Sequence, residues 1–89
     1  MGFDVRAFAA AQLGCEASDL VLLAGPLDRS PQGQSASYAR RPSTQMAVKV
    51  TIGRQRRTLA GRLRCLVTVS WAGGGRAQTE IGPEEAVDW

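Results

Sequence analysis

The chain has 89 residues, a net charge of +3, two cysteines and no histidine. A chain this short supports one modest core, so residues 1–89 are expected to form a single domain. No apolar run nears the roughly 20 residues of a membrane span, and two thiols without histidine leave a metal site incomplete.

Met1–Arg6 shows no charged region followed by an apolar core, so the expectation is a soluble cytoplasmic protein, with a virion as the other location considered. Cys15 and Cys65 read most simply as two separate small hydrophobic thiols; a disulfide between them is the alternative. No cofactor and no small-molecule substrate are expected.

The net charge conceals a partition. Ten basic residues and no acidic one lie between Arg29 and Thr79, whereas residues 80–89 carry Glu80, Glu84, Glu85 and Asp88 and no base. Nine of the ten are arginine, whose planar fork of donors suits carboxylate and phosphate. Codon bias explains arginine over lysine equally well, but it does not explain the missing acids.

In chain order, Asp4 is placed to cap a helix, and Val5, Phe8, Ala9 and Leu13 follow helical spacing. Gly14 sits where a helix-ending glycine belongs, so the helix spans about Asp4–Leu13, with Phe8 and Leu13 as core candidates. Ser18-Asp19 turns the chain, and Leu20–Ala24 forms a short apolar strand. Residues 25–44 hold three prolines, two glycines and five Ser/Thr. That composition predicts a flexible loop, read either as a binding arm with Tyr38, Arg40 and Arg41 at its useful end or as a plain disordered linker.

Residues 45–52 alternate as a strand, and Gly53–Thr58 turns the chain. Leu59-Ala60-Gly61 leaves room for a bulge. The strongest period of two runs from Arg62 to Trp71, placing Leu63, Cys65, Val67, Val69 and Trp71 on one face. Gly73, Gly74 and Gly75 then reverse the chain into a weaker strand ending at Ile81, giving a hairpin over 62–81. The acidic tail, 82–89, predicts one helical turn with Pro83 at its first position, with Val87 and Trp89 docking on the sheet. The fold class is therefore α+β: an N-terminal helix on a mostly antiparallel sheet of about four strands, α-β-β-β-β.

Catalysis has little to work with. Histidine is absent, neither thiol has an activating base nearby in sequence, and Glu84-Glu85 read as solvated surface. Gly73-Gly74-Gly75-Arg76 lacks the setting and Lys-Ser/Thr ending of a phosphate-binding loop. The expectation is a non-enzyme.

Arg54, Arg56, Arg57, Arg62 and Arg64, joined by Arg40, Arg41 and Tyr38, form the candidate binding set. Their partner is an acidic protein surface or a second copy of the chain. The alternative is weakly sequence-specific nucleic-acid binding, for which Tyr38 is the one residue able to offer a stacking ring. Phe3–Phe8 is similar to the opening of some small bacteriophage tail-region proteins. Val67–Trp71 with its glycines is similar to the C-terminal hairpin of some pilin-like proteins. Neither resemblance transfers a functional residue. The sequence thus points to a structural or adaptor subunit, with a phage-encoded one among the candidates.

Overall fold

The computed structural model describes residues 2–25 and 32–89. Its elements are β1 (Phe3–Asp4), α1 (Val5–Leu13), a short 3₁₀ turn (Ala17–Asp19), β2 (Leu20–Ala24), β3 (Gln34–Arg40), β4 (Met46–Ile52), β5 (Arg56–Arg57), β6 (Leu63–Trp71), β7 (Gly75–Ile81) and β8 (Val87–Asp88).

Helix α1 begins where the sequence places it, for a local reason. Asp4 has extended backbone, and its Oδ1 accepts from the Ala7 amide at 3.0 Å, satisfying one of the orphan donors of the first turn. Gly14 ends the helix in the left-handed region at φ 69°, and its N–H reaches the Ala10 carbonyl. The helix buries Val5, Ala9 and Ala10, with Phe8 and Leu13 half-buried beside them. Val5, Ala9 and Ala10 thus form the helix's buried stripe.

The sheet runs β2-β3-β4-β6-β7, with every neighbouring pair antiparallel. The α+β architecture expected from the sequence is therefore present: one N-terminal helix packed on an antiparallel sheet. Strand number differs from the expectation, because residues 34–40 pair on both sides as β3 where the sequence predicts a loop. The part of that loop at 26–31 lies outside the described residues. Strand β5 continues the line of β4 along β6, after an irregular stretch at 53–55.

One face of the sheet meets the helix. Val48, Val50 and Ile52 on β4, Cys65, Val67 and Val69 on β6, and Ala36 and Tyr38 on β3 are buried there. Register lines them in rows, Ala36–Val50–Val69–Ala77 being one. Each Val, Leu or Ile buried this way stabilises by about 1.5–3 kcal/mol. The expected core stripe of β6 holds at Cys65, Val67 and Val69 but not at Leu63, which is 41 % exposed. Leu63 pairs with Arg57 beyond the end of β4.

The tail differs too. A turn, not a helical turn, forms at residues 82–85: Glu85 N–H donates to the Gly82 carbonyl at 3.2 Å, and Gly82 N–H donates to Glu85 Oε2 at 2.9 Å. Strand β8 then runs parallel to β1, pairing Phe3 with Val87. Val87 is fully buried and Trp89 packs half-buried against the core, as the sequence suggests. Cys15, half-buried, and Cys65, buried, are both free thiols. No helix is long and apolar enough to cross a membrane among the described residues.

Candidate interaction surface

The opposite face of the sheet carries Ser35, Ser37, Lys49, Thr51, Thr68, Ser70, Arg76 and Gln78, placed by the same register that sends their neighbours to the core. Polar side chains dominate it, with half-buried Leu66 among them beside Glu80. Basic residues gather at its ends.

At one end, the β5–β6 hairpin builds a shallow cleft of about 700 Å³, lined by Arg56, Arg57, Thr58, Leu59, Ala60, Arg62, Arg64 and Glu80. A tight turn shapes it. Thr58 N–H donates to the Arg62 carbonyl at 2.8 Å, Gly61 N–H to the Thr58 carbonyl at 2.9 Å, and Arg62 N–H to Thr58 Oγ1 at 3.3 Å. Gly61 adopts φ 81°, in the left-handed region.

Two of the guanidinium groups are held by main-chain oxygens. Arg57 Nη1 donates to the Gly61 carbonyl at 2.8 Å, and Arg64 Nη2 to the Glu80 carbonyl at 3.3 Å. Each keeps further donors for a partner, in a fork already partly oriented.

The sequence-predicted residues therefore separate into two groups. Arg56, Arg57, Arg62 and Arg64 meet at the cleft, and exposed Arg54 lies just before β5 with its side chain beside Gly33. Arg40 and Arg41 are exposed at the other end of β3, beside Leu20 and Asp19; Arg41 N–H donates to the Asp19 carbonyl at 2.8 Å. Because Gln34 pairs with Ile52 and Ala39 with Met46, the two groups stand about 20 Å apart, the length of a strand. They do not form one patch.

Tyr38 leaves the candidate set altogether. It is fully buried, its hydroxyl donating to the main-chain oxygen of Trp89, so no ring there is free to stack on a base. Phe3, Phe8, Trp71 and Trp89 are half-buried against the core.

Sequence reasoning misses one residue of the surface. Leu59 is fully exposed at the tip of the turn, with Leu63 partly exposed behind it. The available signal is its position: a large apolar residue in a Thr-Leu-Ala-Gly turn, outside any strand or helix period.

Cys65 lies beneath this end of the sheet. Burial chiefly, and then the negative charge of Glu84, push its thiol pKa up; the positive charge of Arg64 opposes them. A buried thiol with a raised pKa is a poor nucleophile.

No protein-family model matches the chain, and neither a curated protein nor a solved structure matches it significantly.

Proposed function

We propose that the protein is a non-catalytic interaction module, an adaptor or assembly subunit that docks the β5–β6 end of its sheet on an acidic surface of another protein. The observation that carries this reading is Leu59, fully exposed amid Arg56, Arg57, Arg62 and Arg64. Arginine and large apolar side chains together are what protein interfaces use: the apolar group fills a pocket, and the fork pairs with carboxylates at its rim. A phosphate backbone offers a leucine nothing. The acid-free stretch around the cleft, broken only by Glu80 at its wall, favours an acidic partner.

The second reading is nucleic-acid binding at the other end of the open face. A hollow there of about 450 Å³ brings Lys49 and Arg76 beside the half-buried Trp71, two cationic side chains next to one aromatic ring.

Capture on immobilised chain from a nuclease-treated lysate of the source cell tests the first reading. Wild type is compared with Arg56→Glu/Arg57→Glu/Arg62→Glu and with Leu59→Asp. The expected result is an acidic protein whose retention falls by about tenfold or more in both variants, with circular dichroism unchanged. Salt-sensitive binding of labelled duplex DNA or RNA, indifferent to Leu59→Asp, would overturn it in favour of the second.

A further inference from the structure

The two edges of the sheet differ. Strand β2 is short and its register slips between Leu22 and Ala24, an irregularity that blunts an edge against pairing. Strand β7 is seven residues long, pairs with β6 without a shift from Trp71–Gly75 to Cys65–Ile81, and has no strand on its other side among the described residues.

Which groups β7 presents there follows from one hydrogen bond. The Leu66 carbonyl accepts from Gly53 N–H at 2.9 Å, on the β4 side of β6. In a strand, the N–H and C=O of one residue point to the same side, so Leu66 turns both away from β7. Its partner Glu80 is then in a non-hydrogen-bonded pair, and the Glu80 N–H and C=O point out of the sheet. With a period of two, so do those of Gln78 and Arg76. The side chains of the same three residues are exposed on the open face.

We infer that β7 is the contact strand of a homodimer, pairing antiparallel with β7 of a second copy about a two-fold axis at Gln78. That register sets Gln78 against Gln78 and uses all six outward-pointing main-chain groups of Arg76, Gln78 and Glu80. It also sets Arg76 of each copy opposite Glu80 of the other, twice by symmetry. Cross-strand pairs of opposite charge stabilise a sheet and like pairs oppose it. Parallel pairing would oppose Arg76 to Arg76. The charge order of the strand is thus self-complementary only in the isologous antiparallel arrangement. On the helix side, half-buried Ala77 meets Thr79 of the other copy. The bond from Arg64 to the Glu80 carbonyl gives way to a strand amide, freeing that guanidinium beside the cleft.

This contact needs no other protein, so it is tested on the purified chain and stands or falls apart from the proposed function. Sedimentation equilibrium from about 1 µM to about 1 mM should show twice the 9.5 kDa of one chain. Arg76→Glu alone and Glu80→Arg alone oppose like charges, and each should weaken the dimer by about tenfold or more. An equimolar mixture of the two restores complementary pairs and should dimerise again, as should the double variant. In hydrogen exchange, the Arg76, Gln78 and Glu80 amides should gain protection with protein concentration. Gln78→Pro removes an outward N–H that β6 does not use, and should abolish that gain while keeping the β-sheet signal. A chain that stays monomeric throughout would overturn the inference. So would single-charge variants that dimerise like wild type, or a mixture that stays monomeric.

Discussion

The Tyr38 hydroxyl donates to the main-chain oxygen of Trp89, across 51 positions of sequence. Arg6 shares the same acceptor, its Nε donating at 3.0 Å, and its guanidinium carbon lies 5.7 Å from the centre of the Tyr38 ring. One oxygen thereby ties together the helix, the second strand of the sheet and the last residue of the chain. The tie matters because β1 and β8 are only two residues each and hold the tail by few bonds of their own.

Tyr38→Phe removes the hydroxyl and leaves the ring in place. Stability should fall by about 1 kcal/mol, a drop in Tm of about 4–8 °C in a domain of this size. Arg6→Ala should also destabilise, and the double variant should lose more than the sum, because either donor alone still satisfies the shared acceptor and only the double variant leaves it without one. Urea unfolding of the four proteins gives the cycle. Full additivity would show that the two donors act independently.

Stability should fall at alkaline pH, for two groups whose pKa values rise on folding. Burial pushes the Tyr38 hydroxyl up, with the Arg6 charge and hydrogen bond opposing it; burial and Glu84 push the Cys65 thiol up. Both groups are neutral when protonated, and the folded chain keeps those protons to higher pH than the unfolded one. The unfolded state then binds fewer protons, so stability declines as pH rises. The loss starts above the ordinary thiol range, about 8.5, and continues above the ordinary tyrosine value, about 10. Urea midpoints from neutral pH upward measure it. Cys65→Val should flatten the first part and Tyr38→Phe the second. Tyr38 is the one tyrosine in the sequence, so tyrosinate absorbance titrates it directly.

Gly75 is required by contact. A Cβ there would stand 2.0 Å from the Trp71 indole, which lies across the glycine from the paired strand position. Gly75→Ala should cost about 1–3 kcal/mol, the range for forcing extra atoms into a packed site. In a Trp71→Ala background the same change should cost much less, since nothing remains for the methyl to strike. Equal costs in both backgrounds would trace the requirement to the backbone instead.

What the sequence by itself determined is what is local and strongly patterned. Asp4 and Gly14 bracket α1 because a cap is a contact between neighbours in sequence. Cys65, Val67 and Val69 face the core because period two, with high apolar contrast, permits only one register. Tertiary structure alone decided β3. Ser35, Ala36, Ser37 and Ala39 alternate with almost no apolar contrast, so their strand is made by hydrogen bonds to β2 and β4 on either side. That pairing carries Tyr38 from an expected binding arm into the core. It also sends Arg40 and Arg41 to the far end of the sheet, about a strand's length from Arg56–Arg64. Charge content is written in the composition, but which charges share a surface is set by pairing between segments distant in the chain. Leu59 shows the same limit from the other side: its place outside any strand or helix period is legible in the sequence, but that it stands fully exposed among Arg56, Arg57, Arg62 and Arg64 is set by the turn between β5 and β6.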